Sequence, residues 1–181
     1  MIFAPRIEGT AFIQAPPSAF LSGFRRRAEN GLLSGRPHAR SNYAVTRAEA
    51  DRLRVSAVDW RTAFNVGLNE IELLATKAGV VDYRIGYKRW AAYAVALSAA
   101  IAVTMIGVLL SIDLHTYIEN HRGTVFPGLS VDQQVRVAWA LVVFWGFVWP
   151  WLLIAFHKRP LRQLFERIVS EVDAVALEGG R

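Results

Sequence analysis

Residues 90–112 (WAAYAVALSAAIAVTMIGVLLSI) form the first of two long uncharged stretches in the chain. The second, residues 137–156, has the sequence VAWALVVFWGFVWPWLLIAF. An α-helix rises about 1.5 Å per residue, so each stretch would reach about 30 Å, the thickness of the hydrocarbon core of a bilayer. The alternative is a pair of buried core helices, but such helices rarely stay apolar on all sides over about 18 residues. We therefore predict a hairpin of two transmembrane helices.

Basic residues flank this hairpin at its two ends. Lys88 and Arg89 stand directly before the first stretch, and Lys158 and Arg159 follow the second. The connecting segment, residues 113–136, carries more acidic than basic side chains. Because basic flanks are retained in the cytoplasm during insertion, both termini are expected there. We predict a multi-pass protein of a bacterial-type inner membrane, with residues 113–136 as an external loop.

The composition of the chain limits its chemistry. It has 181 residues, a formal net charge of +6 and no cysteine. Disulfides and thiolate metal sites are therefore excluded. The length suits one domain with an appendage. Most lysines and arginines precede the first uncharged stretch, so the basic excess belongs to the predicted cytoplasmic part.

Residues 1–45 predict an irregular basic arm, because proline, glycine and serine interrupt them repeatedly. Three consecutive arginines stand in this arm: Arg25, Arg26 and Arg27. Basic residues beside a membrane are attracted to anionic headgroups. We therefore predict that these arginines contact membrane lipid. No nucleic-acid partner is expected, since no recognised binding motif accompanies them.

Residues 46–89 predict a cytoplasmic helical segment. Thr46 and Glu49 fit a capping box, in which a hydroxyl and a carboxylate satisfy the first free amides of a helix. Apolar residues then recur at mostly three- and four-residue steps, and Gly79 is typical of a helix end. These signals predict a helix over residues 47–78.

The stretch from Val81 to Tyr87 has a different pattern, because its apolar residues alternate with polar ones. Alternation is the period of a β-strand. A single strand is not stable by itself. We therefore interpret the stretch as an approach to the membrane interface, with a sheet as the alternative.

Residues 157–181 predict a cytoplasmic amphipathic helix that begins after Pro160, a favourable first-turn residue. Over residues 160–178 it carries four acidic and two basic residues. A net acidic helix binds lipid poorly, so a protein partner is favoured over the bilayer. The basic segment at residues 25–61 is one candidate for that partner.

These segments predict an all-α integral membrane protein. It comprises a two-helix transmembrane hairpin, a cytoplasmic N-terminal helix and a C-terminal amphipathic helix. Ser130 and Gln133 form a capping box, so the second membrane helix is expected to begin near Val131. The predicted segments have the bounds 1–45, 46–89, 90–112, 113–136, 137–156 and 157–181.

Metal-binding and catalytic motifs are not recognisable in the sequence. His115, Glu119 and His121 lie close together, but they lack the spacing of a histidine-based zinc motif. No phosphate-binding loop or nucleophile elbow occurs. The interiors of both stretches hold no Asp, Glu, Lys, Arg or His, which argues against a self-sufficient transporter. We expect no enzymatic activity, no metal, no cofactor and no small-molecule substrate.

Small residues recur every four positions in the first stretch and define a helix-packing or partner face. Such rows let helix backbones approach closely in lipid. The second stretch offers small residues at Ala138 and Gly146. The row in the first stretch consists of Ala92, Ala96, Ala100 and Thr104.

The tryptophans separate by their predicted depth. Trp90, Trp139 and Trp151 lie near the ends of the stretches and are expected to anchor at the interface, together with the flanking Lys88, Arg89, Lys158 and Arg159. Trp145 and Trp149 lie deeper and one helical turn apart, so they predict a broad aromatic face. Pro150 cannot donate a hydrogen bond to the carbonyl of Gly146, so a kink is expected there.

The faces left without partners predict a non-enzymatic structural or assembly subunit of a larger inner-membrane protein complex. Its expected partners are membrane lipid and other membrane-protein subunits. One alternative is a membrane-permeabilising or channel-forming homo-oligomer, resembling a holin or a defence effector. Another is an accessory subunit that binds lipid, quinone or pigment at the aromatic face.

Overall fold

A computed structural model describes residues 4–33, 42–77, 79–121, 126 and 128–179. The chain divides into two compact units, one made of Met1–Ala92 with Phe156–Arg181 and the other of Tyr93–Ala155. The first unit is a sheet domain. The second is a helical hairpin. The elements are β1 (Arg6–Phe12), α1 (Pro17–Glu29), β2 (Tyr43–Ala48), β3 (Arg52–Ala57), α2 (Trp60–Asn65), β4 (Glu70–Lys77), β5 (Val80–Gly86), α3 (Lys88–Ser111), α4 (Leu114–Asn120), α5 (Val131–Val143), a π-helical turn (Phe144–Val148) and α6 (Trp149–Glu178).

The predicted all-α class is wrong, because five strands form an antiparallel sheet in the order β1-β5-β4-β3-β2. In place of the helix predicted over residues 47–78, the structure has the end of β2 followed by the whole of β3, α2 and β4. The three- and four-residue steps between apolar residues in this range do not reflect a helix. Ile71 pairs in register with Val55 on one side and with Ile85 on the other. The buried residues of β3 and β4 therefore alternate with a period of two, as a sheet with one solvated face requires.

The interpretation of residues 81–87 as an interfacial approach is also wrong. They belong to β5, which pairs with β1 and β4 and is therefore an inner strand. Partners distant in sequence supply the stability that one strand lacks. Gly79 adopts a positive φ of 77° in the turn between β4 and β5, so it closes a hairpin and does not end a helix.

The predicted irregular arm is structured where the structure describes it, because β1 and α1 both lie within residues 1–45. Residues 34–41 of that arm lie outside the described part. In β1, Gly9 stands opposite Tyr83. A Cβ atom at Gly9 would lie 2.5 Å from the Tyr83 hydroxyl oxygen, so only glycine lets the tyrosine ring cross the strand there.

The core of the sheet domain lies between one face of the sheet and the helices α1 and α6. Phe24 and Phe165 bring the two helices together, with ring centroids 6.1 Å apart. The Phe165 ring also packs 4.7 Å from the ring of Tyr83 in β5. The largest fully buried side chains of this core include Phe20, Leu32, Leu68, Ile71, Leu73 and Ile85.

The C-terminal helix finds its partner within the same chain. Glu171 of α6 pairs with Arg27 of α1 at 2.9 Å, so the helix contacts one residue of the basic segment that was a candidate partner. Asp173 accepts hydrogen bonds from the backbone amides of Gln14 and Ala15. The predicted helix start after Pro160 is wrong, since α6 runs through this residue without a break.

The second unit contains most of the two apolar helices. The predicted capping box is confirmed, because the Ser130 hydroxyl and the Gln133 side chain satisfy each other's backbone amides at the start of α5. Two helical stretches, Lys88–Ser111 and Val131–Glu178, are long and apolar enough to cross a membrane. Only 17% of the most apolar window of each is buried. The prediction of two helices with spanning length and composition is therefore confirmed.

Candidate functional site

The two long helices of the hairpin touch through a row of small residues. A Cβ atom at Gly146 would lie 2.6 Å from the Cβ atom of Ala102, so the backbones meet there at a distance that only glycine allows. Ser98 and Ala102 on α3 are buried, as is Val142 on α5. This is the close approach that small residues permit between helices in lipid. It uses one of the two small-residue rows of α3.

The row predicted from the sequence is the other one. Two positions along a helix are separated by a rotation of about 200°, so the predicted row lies on the side of α3 away from Ser98 and Ala102. The Thr104 hydroxyl donates to the carbonyl of Ala100 at 2.9 Å and needs no further polar partner. As a partner face this row stays a prediction. Its members, Ala92, Ala96, Ala100 and Thr104, are all exposed, and Ala138 on α5 is half-buried.

A π-helical turn precedes the proline of the second long helix. The amide of Trp149 donates to the carbonyl of Phe144, five residues earlier, and Pro150 has no amide to donate. Widened turns of this kind are common beside prolines and at functional sites. The kink expected at Pro150 and Gly146 thus coincides with a real irregularity of the helix.

Three aromatic rings cluster around this turn, and we call them the aromatic surface: Phe144, Trp145 and Trp149. The indoles of Trp145 and Trp149 meet edge to face, with centroids 4.8 Å apart. The ring of Phe144 lies 5.7 Å from Trp145 and 6.1 Å from Trp149. Trp145 is exposed and Trp149 half-buried. The aromatic face expected from the spacing is present, and its occupant stays a prediction.

The predicted anchors lie at several levels of exposure. Lys88, Trp139, Trp151 and Arg159 are exposed, and Lys158 is half-buried. Two further anchors make specific contacts. Arg89 donates from its guanidinium to the carbonyl of Ala57 at 2.8 Å. The half-buried Trp90 belongs to a cluster of packed side chains at the start of α3, so its role in the sheet domain is structural as well.

That cluster was not predicted from the sequence, and we call it the junction cluster: Gly67, Asn69, Tyr87, Trp90 and His157. Its polar centre is Asn69. The amide nitrogen of this side chain donates to the carbonyl of Ala63 at 2.7 Å. Its oxygen accepts from the backbone amides of Arg89 and Trp90. Asn69 therefore caps the start of α3 from a distant point in the sequence, satisfying amides that have no partner within the helix.

His157 forms the apolar side of the junction cluster. Its ring stacks on Trp90 with centroids 3.8 Å apart and an interplanar angle of 5°, and the ring of Tyr87 lies 5.6 Å away. A Cβ atom at Gly67 would lie 2.5 Å from Nε2 of His157, and the φ of Gly67 is +76°. Both the positive φ and the close approach of the His157 ring therefore require glycine at this position.

Burial changes the acid–base properties of the junction cluster. Nε2 of His157 is buried and has no hydrogen-bond partner among the described residues. Desolvation lowers the pKa of His157, because the charged imidazolium would lose its water. Burial likewise raises the pKa of Tyr87 to about 12. Both rings are therefore neutral at neutral pH.

The outer face of the sheet carries a ladder of ion pairs. Arg52 of β3 pairs with Glu72 of β4, and Arg84 of β5 pairs with Glu8 of β1 at 2.7 Å. The hydrogen bond from Arg52 is the main cause of the lowered pKa of Glu72. These residues line a shallow cleft of about 470 Å³. Cross-strand pairs of opposite charge stabilise a sheet modestly, which is the role the geometry supports for them.

The remaining predicted residues lie apart from these surfaces. Arg25 pairs with Glu29, and the exposed side chain of Arg26 forms no ion pair among the described residues. In the loop, Nδ1 of His121 lies 2.8 Å from the carbonyl oxygen of Tyr117. His115 lies 3.7 Å from Asp132. Within the described ranges, no three histidine, aspartate or glutamate side chains group as metal ligands.

Comparison with known proteins adds no relative to this description. No protein-family model, no curated protein and no solved structure matches the chain. The candidate surfaces are therefore interpreted from their own geometry.

Proposed function

We propose that this chain is a non-enzymatic structural or assembly subunit of a larger inner-membrane protein complex. The observation that carries the proposal is the uncovered small-residue row of α3. One row of α3 already packs on the second long helix at Gly146, and the opposite row, from Ala92 to Thr104, is exposed along the same helix. A second helix can approach there as closely as the first.

The exposure of apolar side chains on the hairpin supports a membrane location. A helix in the core of a soluble protein is mostly buried, whereas 83% of the apolar window in each of these helices is not. The exposed side chains include Val95, Leu97, Ile101, Val103, Val108 and Leu110 on α3. Lipid tails cover such apolar surfaces without a free-energy cost, whereas their exposure to water is unfavourable.

The sheet domain supports the expected topology. It is built from chain that precedes the hairpin and chain that follows it, joined by contacts such as the one between Tyr83 and Phe165. Both flanks of a membrane-spanning hairpin therefore lie on the same side. The basic residues Lys88, Arg89, Lys158 and Arg159 favour the cytoplasmic side of an inner membrane.

Affinity purification in mild detergent, followed by mass spectrometry, tests the proposal. The wild-type chain should copurify with at least one other membrane protein in a fixed ratio. Ala100→Leu should remove that partner, because the larger side chain blocks close approach at the exposed row. Val103→Leu is the matched control, since Val103 is 69% exposed and lies outside the row.

Two results would contradict the proposal. Recovery of a lone chain or of a pure homo-oligomer would exclude a hetero-complex under these conditions. Conductance by that homo-oligomer in liposomes would favour the channel-forming alternative. Equal loss of the partner in the Ala100→Leu and Val103→Leu variants would show that the small-residue row is not the contact.

A further inference from the structure

Two large apolar side chains are exposed where β3 leads into α2: Val58 lies in the connection, and Trp60 is the first residue of α2. Val58 is 55% exposed and Trp60 is 68% exposed. The guanidinium carbon of Arg61 lies 5.9 Å from the centroid of the Trp60 ring. Val58, Trp60 and Arg61 thus form an exposed surface that is apolar with a basic side chain beside it. This surface is not part of the core of the sheet domain.

This connection lies at the end of the sheet where α3 begins. β3 ends at Ala57, whose carbonyl accepts the hydrogen bond from Arg89 in the first turn of α3. The carbonyl of Ala63 in α2 accepts from Asn69, and Asn69 in turn caps the amides of Arg89 and Trp90. Val58 follows Ala57 directly and Trp60 begins α2, so both lie at the end of the sheet to which the first turn of α3 is hydrogen-bonded.

The charge of this region suits an anionic surface. Arg61, Lys88 and Arg89 are all exposed there. Two acids lie near this region. The exposed Glu70 lines a cleft with Lys88 and pairs with Arg54 at 3.3 Å. The half-buried Asp59 accepts from the amide of Thr62 at 2.7 Å and caps α2. That bond contributes most to the lowered pKa of Asp59, and it engages the carboxylate with the helix end. The exposed cations thus outnumber the exposed acid.

We propose that Val58, Trp60 and Arg61 form an interfacial anchor that inserts into the headgroup layer of an anionic bilayer. The proposal rests on the membrane insertion of the hairpin proposed above. If α3 enters the hydrocarbon after Arg89, the neighbouring Trp60 lies at headgroup depth. Tryptophan is favoured at that depth because its ring is amphipathic, and Arg61 can contact lipid phosphates.

Phe12 provides a natural control for this assignment. It is 84% exposed, more than Trp60, but it lies at the opposite end of the sheet. Arg6 of β1 pairs with Gly86 beside the start of α3, whereas Phe12 pairs with Val80 at the other end of β5. Six residues of strand separate the two ends by about 20 Å. Exposure alone therefore does not define the anchor.

Depth-dependent fluorescence quenching tests the proposal in the full-length protein. The chain has no cysteine, so a single introduced cysteine can carry an environment-sensitive nitrobenzoxadiazole label. Val58→Cys reports on the anchor and leaves Trp60 in place. Phe12→Cys is the control at the far end, and Val103→Cys reports on the middle of α3. The vesicles contain phosphatidylcholine and phosphatidylglycerol, with spin labels either at the headgroup or in mid-chain.

The expected pattern is quenching at position 58 by the headgroup label, quenching at position 103 by the mid-chain label, and no quenching at position 12. Adding Trp60→Ala and Arg61→Gln should reduce the signal at position 58 to that at position 12. Quenching at 103 with no quenching at 58 would overturn the anchor and leave the membrane hairpin intact. Absence of quenching at 103 would overturn both proposals. Protection of position 58 only when a copurified protein is added would assign the surface to a protein partner and overturn the anchor.

Discussion

The sheet domain and the hairpin use apolar residues in opposite ways. In the sheet domain, Phe24, Phe165 and their neighbours are fully buried by elements of the same unit. In the hairpin, large apolar side chains such as Val103 and Leu110 remain exposed, and the small residues Ser98 and Ala102 are buried at the helix contact. The difference shows that the sheet domain completes its own core, whereas the hairpin leaves large apolar side chains exposed, which the proposed membrane location would cover.

The largest effect is expected from truncating the core of the sheet domain. Phe165→Ala removes a fully buried ring that packs on Phe24 and Tyr83. Its free energy of unfolding should fall by about 3–5 kcal/mol, because the substitution leaves a cavity. Denaturant unfolding of the purified protein in detergent measures the change. In the hairpin, Val103→Ala should change it by less than about 1 kcal/mol, and a comparable loss there would remove the contrast.

A bulky residue at the helix contact should disrupt the hairpin but leave the sheet domain folded. Gly146→Leu places a side chain against Ala102, where even a Cβ atom would lie 2.6 Å away. We expect a loss of about 1–3 kcal/mol, the usual effect of overpacking. Hydrogen exchange over residues 131–155 should accelerate, while the strands keep their protection. Gly107→Leu is the control, since no atom lies within 4 Å of a Cβ atom there.

Removing the distant cap of α3 should have a smaller effect. Asn69→Ala leaves the amides of Arg89 and Trp90 without their acceptor. A lost helix cap costs about 0.5–2 kcal/mol. Exchange at these two amides should become faster, as measured by NMR or mass spectrometry. Asn65→Ala, at an exposed position of the neighbouring α2, should leave their exchange unchanged. Unchanged exchange in Asn69→Ala would show that the cap contributes nothing.

The smallest effect on stability is expected from His157, whose Nε2 atom is buried. Because the pKa of His157 is lowered on folding, the unfolded chain binds its proton at a higher pH than the folded chain. The stability that comes from the neutral His157 ring is therefore complete above the pKa of this ring in the unfolded chain, about 6.5. It is lost as the pH falls through the pKa of the ring in the folded chain. Unfolding midpoints between pH 7.5 and about 4.5 should show this decline. His157→Phe should remove that part of it, and an identical decline in the variant would refute the assignment.

Local signals in the sequence were sufficient for the hairpin. An uncharged run and the capping box at Ser130 and Gln133 involve residues close in sequence, so they specify helices without knowledge of the fold. The spacing of Trp145 and Trp149 similarly placed both rings on one surface. The choice between the two small-residue rows of α3 could not be predicted, because both rows are small and the partner helix decides between them.

The sheet required information that no local pattern contains. Ile7 pairs with Ile85, and these residues are distant in sequence. Alternation at Val81, Tyr83 and Ile85 was visible, but its meaning depends on whether other strands are available. The junction cluster is similar, since the stacking of Trp90 on His157 joins residues on either side of the hairpin. Gly67 falls within the helix predicted over residues 47–78, and nothing in its local sequence shows that it accommodates the His157 ring.

Native mass spectrometry of the protein released directly from membranes is the most direct test of the assembly proposal. We expect a complex whose mass is not a multiple of the 20.2 kDa chain and which loses its additional subunit in the Ala100→Leu variant. A mass equal to the single chain, or to an integer multiple of it, would contradict the proposal that this chain belongs to a larger hetero-oligomeric complex.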